Sequence, residues 1–313
     1  MTTLDPDVLL VLEMIRMAGR PPFEQLTPNE AREAYMKSRA VLQPDPEPVA
    51  EVRALSAPGP LGDIPLRLYR PAGAGERAPG LVYYHGGGWL LGSLDSHDVV
   101  CRRFANAAGC VVVSVDYRMA PEHPFPAAVD DCAEATRFVS ARAASLGIDP
   151  ARIAVGGDSA GGNLAAVMAL MARDGSLPPL AFQLLIYPAT DMTMTTVSSQ
   201  TIGPGVPLTS ATMKWFIDYY MPPATDRADW RASPARAASV AGTAPALVLT
   251  AAADPLRDEG IDYARRLERE GVRVTAVHLS DQIHGFMSMG KVIRAADTAI
   301  DMMSAVLKRA LTG

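Results

Sequence analysis

From about residue 49 the chain alternates short apolar runs with longer stretches whose apolar positions recur every three or four residues. Short apolar runs bounded by turn signals read as buried strands, and the longer period reads as helices. Strands are predicted at Ile64–Tyr69, Leu81–Tyr84, Val111–Val115, Ile153–Val155, Ala181–Tyr187, Ala246–Ala251 and Val272–Leu279. Helices are predicted between and after them, at about 97–108, 126–145, 160–173, 258–270 and 290–311. The last carries Ile293, Ala296, Ile300, Met303 and Leu307 on one stripe that faces a core. Strands alternating with helices predict an α/β chain with a mostly parallel central sheet covered by helices on both faces.

Residues 1–45 precede the first of these strands and read as two amphipathic helices. Asp5-Pro6 supplies an N-cap followed by proline at the first helical position, and Leu9, Leu12, Met14 and Ile15 give an apolar face. Arg20-Pro21-Pro22 stops that helix. Thr27-Pro28-Asn29-Glu30 is a capping box that starts the second, which the proline-rich stretch from Gln43 to Pro48 ends. Within the main domain, residues 46–313, the segment at about 190–235 breaks the alternation. It holds Gly203-Pro204-Gly205 and a helix from Thr209 to Met221 crowded with Met213, Trp215, Phe216, Tyr219 and Tyr220. Long excursions in compact domains commonly form lids or binding loops. The N-terminal pair and this insertion are therefore expected to form a cap over a site. Trp215 and Phe216 are candidate substrate contacts there. The competing expectation is that they only pack the insertion onto the main domain.

Composition narrows the class. The 313 residues are 49% hydrophobic and 20% charged, as in a globular protein with a large core. A net charge of −5 gives no footprint for nucleic acid or an anionic membrane. No apolar run approaches the ~18 residues of a membrane span, so no stable membrane insertion is expected. The start of the chain lacks the basic leader of a signal peptide, and Asp5, Asp7 and Glu13 flank a short apolar run. Cys101, Cys110 and Cys132 cannot all pair and match no metal pattern. They are expected to be buried thiols in a cytoplasmic protein.

Candidate chemistry centres on Gly157-Asp158-Ser159-Ala160-Gly161, between the run Ile153-Ala154-Val155 and a small-residue helix. Strand, sharp turn, serine, helix is the setting of a nucleophile elbow, which holds a serine hydroxyl clear of the sheet. A second element lies upstream, where His85-Gly86-Gly87-Gly88 follows the run Gly80 to Tyr84. Bare glycine N–H groups can face the oxygen that turns negative in acyl transfer. Gly86, Gly87 and Ala160 are the expected donors to that oxyanion. A serine needs a base, usually a histidine steadied by a carboxylate, and elbow-type hydrolases run serine, acid, histidine along the chain. His85, His97 and His123 precede the serine, and His278 sits inside an expected strand, which leaves His284 in the loop just beyond it. Asp254, directly after the run Leu247 to Ala253, is the chosen acid, with Asp281 and Asp191 open as rivals. Asp258 and Glu259 are assigned to the start of the next helix, whose dipole favours negative charge. Asp158 is read either as a group near the substrate or as part of the turn. Trp89, beside the glycines, joins the candidate substrate contacts. The chemistry calls for no metal and no organic cofactor.

With these residues in hand, the chain resembles bacterial members of the hormone-sensitive lipase family of esterases, from about residue 60 to the C-terminus. The resemblance rests on Tyr84-His85-Gly86-Gly87-Gly88-Trp89, on the block from Asp116-Tyr117-Arg118 to Ala127, and on Gly157 to Gly162. Asp254-Pro255-Leu256-Arg257-Asp258-Glu259-Gly260 and His284-Gly285-Phe286 complete it. It implies an α/β-hydrolase fold with a helical cap and carboxylesterase activity on short- to medium-chain acyl esters. It also implies Asp254 as acid, His284 as base, and Gly86, Gly87 and Ala160 as oxyanion donors. Arg118 and Glu122 are read as charges that hold the fold. The implied partner is a small-molecule ester. Members of the family often form homodimers, for which this sequence carries no sign. The same triad serves amides, lactones or transfer to another alcohol. A non-enzymatic ligand receptor on this fold would be expected to lack part of the triad.

Overall fold

The computed structural model describes residues 3–312. Two helices come first, α1 (Pro6–Ala18) and α2 (Pro28–Leu42). The Asp5 side chain caps α1 by accepting from the Asp7 amide at 2.7 Å. Thr27 and Glu30 form a reciprocal capping box at the start of α2. Each such cap stabilises its helix by about 1 kcal/mol.

Among the described residues eight strands follow, in one sheet. They are β1 (Glu51–Gly59), β2 (Gly62–Arg70), β3 (Ala78–Tyr84), β4 (Val111–Val115), β5 (Ile148–Asp158), β6 (Phe182–Ile186), β7 (Ala246–Ala253) and β8 (Val274–Ile283). Their spatial order is β1-β2-β4-β3-β5-β6-β7-β8. β2 is antiparallel to both β1 and β4, and every other pair is parallel. The connections between strands carry α3 (Asp98–Ala108), α4 (Ala127–Ala141), α5 (Ala160–Arg173), α6 (Val197–Thr201), α7 (Ser210–Tyr220) and α8 (Arg257–Arg269), and α9 (Ala295–Thr312) follows the last strand. Strands β3, β4 and β6 are buried along their whole length, as a sheet covered on both faces requires. One apolar core joins the sheet to α4, α5 and α8 through residues such as Val129, Leu164 and Tyr263. The second joins the other face to α3 and α9 through Phe104 and Met303.

Several boundaries differ from the sequence reading. β1 was not expected, because exposed Val52, Ala54 and Ser56 alternate with half-buried Glu51, Arg53 and Leu55, which leaves no apolar run. β8 continues to Ile283, so Asp281 lies in the strand and His284 directly follows it. The last helix begins at Ala295, after a short turn of 3₁₀ helix at Phe286–Ser288. The short helix α6 was also unexpected.

The N-terminal helices and the 190–235 segment meet. Thr212 donates to the Glu24 carboxylate at 2.6 Å, and the Phe23 and Phe216 rings lie 6.3 Å apart. Arg32 of α2 forms an ion pair with Glu122 at 2.6 Å, and Arg118 grips Asp131 with two hydrogen bonds. Both Arg118 and Glu122 thus tie segments together. Among the described residues no helix is long and apolar enough to cross a membrane.

Candidate active site

The carboxyl ends of β3, β5, β7 and β8 converge on one place, where open parallel sheets gather ligand chemistry. Ser159 sits between the end of β5 and the start of α5 with φ at +58°. That left-handed backbone costs a serine about 1–3 kcal/mol, so its surroundings must impose it. They do so from several directions. The Ser159 amide donates to Ile186 O at 2.8 Å, and the Asn163 side chain ties α5 to Ala189 O and Ala232 O at 2.9 and 2.7 Å. Gly161 allows the close approach, since a Cβ there would stand 1.8 Å from Tyr84 O.

His284 comes off the end of β8 and reaches this serine. Its Nε2 lies 2.9 Å from Ser159 Oγ, and its Nδ1 lies 2.8 Å from Asp254 Oδ2. With the proton on Nδ1, the ring donates to the carboxylate and accepts from the hydroxyl. Asp254 is fully buried at the end of β7, and its other oxygen accepts the Leu256 amide at 2.8 Å. The rival acids stand elsewhere. Asp191 is paired with Arg236 at 2.9 Å, and the Asp281 carboxylate meets Gln282 within β8. Tyr187, which the sequence did not single out, lays its ring 4.7 Å from the His284 imidazole. Burial pushes its phenol well above the usual range, so it stays protonated.

The glycine motif requires one correction. The Gly86 amide, expected to face an oxyanion, donates instead to Asp158 Oδ1 at 3.0 Å. Gly87 and Gly88 line the cavity beside Ser159. Among the described residues neither of their amides has an acceptor. Ala160 is the first residue of α5, so its amide lacks an intrahelical partner. The free amides around Ser159 are therefore those of Gly87, Gly88 and Ala160.

Asp158 borders the cavity, with its carboxylate held by protein donors. Besides Gly86 it accepts from Tyr83 Oη at 2.8 Å, and His97 Nε2 stands 3.2 Å away. Burial pushes this carboxyl up, yet the His97 and Tyr83 contacts outweigh burial and hold it below the usual carboxylate range. Behind it His85 is buried against Tyr117, ring centroids 4.4 Å apart, and burial lowers its pKa to about 3. The His97–Asp158–Tyr83 group braces the glycine turn from behind.

The cavity over Ser159 and His284 measures about 70 Å³. Phe216 forms part of its wall, pressed on the glycine turn: a Cβ at Gly88 would come within 2.3 Å of the ring. Trp89 and Trp215 do not line it. Trp89 is fully buried and stacked on Tyr220 at 4.5 Å, and Trp215 packs on Phe216 and Tyr219. Both are corrected from substrate contacts to packing. The N-terminal segment also contributes Phe23, Tyr35 and Arg39 to the wall, none of which carries a motif that marks it in the sequence. A larger outer cavity of about 490 Å³ adjoins the first and shares Phe23 and Pro207 with it.

The family described as alpha/beta hydrolase fold matches residues 81–288. The chain is 44% identical to the carboxylic ester hydrolase LipN of Mycobacterium tuberculosis, over 92% of this chain and 78% of that protein. It is 38% identical to an ethyl acetate hydrolase of Pseudomonas putida, over 99% of this chain and 100% of that one. Among solved structures, a hyperthermophilic esterase of the archaeon Pyrobaculum calidifontis superposes with a TM-score of 0.92 at 43% identity, covering 98% of each chain.

Proposed function

The chain belongs to the α/β-hydrolase family, in its hormone-sensitive-lipase-like branch, and on that footing we propose that it is a serine carboxylesterase acting through an acyl-enzyme. As a carboxylic ester hydrolase it keeps company with relatives that bear that name across most of their length. The observation that carries the mechanism is the continuous hydrogen-bonded line from Asp254 through His284 to Ser159.

Ser159 Oγ attacks the ester carbonyl while His284 Nε2 takes its proton. Asp254 holds the ring in that tautomer and stabilises the imidazolium as it forms. The amides of Gly87, Gly88 and Ala160 receive the oxyanion, each donor contributing about 3–4 kcal/mol to the transition state. His284 returns the proton to the leaving alcohol, and the acyl group stays on Ser159. Water then repeats the attack with His284 as base, and the acid departs. Every proton thus travels through one imidazole.

The substrates are small esters. A cavity of about 70 Å³ lies well below the ~300 Å³ at which pockets for drug-sized ligands begin, which favours the short end of the acyl range. The N-terminal helices and the 190–235 segment act as a cap, supported by the contacts of Phe23 and Thr212 across their junction. The three buried unpaired thiols suit a cytoplasmic setting.

A panel of p-nitrophenyl esters of rising acyl length tests the reading, with Ser159→Ala as control. Hydrolysis peaking at about four to eight carbons and abolished in the variant supports it. A maximum at long chains, or turnover that survives Ser159→Ala, overturns it.

A further inference from the structure

Arg39 is an arginine without an ion-pair contact at the wall of the candidate active site. It is only 9% exposed and lines the cavity together with Ser159 and His284. Among the described residues no carboxylate oxygen comes within 4.0 Å of it. Its Nε is buried without a hydrogen-bond partner. Its contacts are Ser288 Oγ and Ser288 O through Nη1, the latter at 3.4 Å, and the Tyr35 ring 4.3 Å beneath the guanidinium. These hold the group in place without neutralising it. Arg32, about two turns earlier on α2, shows the contrast, since it has Glu122 at 2.6 Å.

The nearest carboxylate, Asp158, feels the charge of Arg39 but makes no ion pair with it. Asp158 also borders the cavity, but its oxygens are committed to Tyr83, Gly86 and His97. Arg20 is a second cation close enough that its own pKa is lowered, first by burial and then by the charge on Arg39. A buried charge without an ion-pair partner is destabilising unless a partner arrives. A guanidinium presents a planar fork whose best partner is a carboxylate held by two parallel hydrogen bonds. A neutral acyl chain would leave that fork unsatisfied.

We propose that the preferred substrates are small esters bearing a free carboxylate, which Arg39 binds inside the cavity as the ester group meets Ser159. This assignment rests on the carboxylesterase reading and names the substrate class for the same site. The chemistry fits half-esters of dicarboxylic acids or acylated hydroxy acids, whose second acidic group lies a few bonds from the scissile carbonyl.

The test uses two isosteric pairs that differ only in charge: monoethyl succinate against ethyl succinamate, and acetoxyacetate against acetoxyacetamide. Initial rates by acid release are expected to give the carboxylate of at least one pair a kcat/KM ten-fold or more above its amide. Arg39→Met should cut that ratio at least ten-fold, chiefly through KM, and Arg39→Lys should restore part of it. Amides equal to or better than carboxylates in both pairs, or a ratio unmoved in Arg39→Met, overturns the proposal. A structural role of Arg39 would lower both members of a pair alike. Calorimetry on Ser159→Ala with monoethyl succinate and ethyl succinamate separates the two readings. Charge-blind binding there sinks the substrate assignment while hydrolysis of the amide esters keeps the esterase. Selective binding of monoethyl succinate by that variant, with no turnover of any ester by the intact protein, keeps the anion site and sinks the esterase.

Discussion

His284 Nε2 stands 2.9 Å from Ser159 Oγ, although 125 residues separate the two along the chain. The sheet makes that meeting possible: the serine leaves β5, the histidine leaves β8, and β6 and β7 lie between them in parallel register. Asp254, at the end of β7, closes the line on the far side of the ring.

The identity of the acid gives the first prediction. Asp254→Asn should lower kcat by about 10⁴-fold, because the amide cannot hold the imidazole in the tautomer that accepts from serine. Asp281→Asn should change kcat by less than about 3-fold, as a substitution at a half-buried strand position away from the ring. Steady-state kinetics on p-nitrophenyl butyrate compares them. The reverse ranking would reassign the acid to Asp281.

Phe216 sets the second. Its ring closes the cavity against the glycine turn, so Phe216→Ala should open room for longer acyl groups. The octanoate-to-butyrate ratio of kcat/KM is expected to rise by about 5-fold or more, in line with the ~1–3 kcal/mol that hydrophobic pockets discriminate. The same change should cost about 3 kcal/mol of stability from lost burial, read by denaturant melts. An unchanged acyl profile in a folded variant would show that the wall lies elsewhere.

A buried carboxyl away from Ser159 and His284 sets the third. Glu259 is pushed from the ordinary 4.5 to about 8 by burial, even though the amides of Thr190 and Asp191 pull it the other way. The folded protein therefore keeps this proton where the unfolded chain has released it. Its contribution to stability is fully present below about pH 4.5 and is lost as pH rises through about 8. Glu259→Gln mimics the protonated form and should flatten the fall in Tm between pH 5 and 9. Parallel Tm profiles for the two proteins would contradict the assignment.

The elbow and the histidine were legible in the sequence for a physical reason. A strained serine needs glycines near it and a strand and helix around it, and those leave a local pattern at Gly157–Gly161. Asp254 was harder, because a carboxylate after a strand also suits a turn, and only three-dimensional proximity separates it from Asp281. For Gly86 the motif shows a bare amide but not that the Asp158 carboxylate captures it. Trp89 and Trp215 were misjudged because an aromatic side chain reads the same whether it meets a substrate or Tyr220. Arg39 left no mark, since one arginine on a polar helix looks solvated until the helix is docked. Strand β1 escaped for the related reason that an edge strand with alternating exposed positions carries little apolar signal.

The most direct test of the central claim is covalent capture of the nucleophile. The intact protein is incubated with diethyl p-nitrophenyl phosphate, nitrophenol release is followed, and the labelled peptides are mapped by mass spectrometry. One diethylphosphoryl group per chain on Ser159 is expected, with none in Ser159→Ala and labelling slowed at least 10³-fold in His284→Ala. Stoichiometric labelling at another residue, or a rate indifferent to His284, would contradict the account.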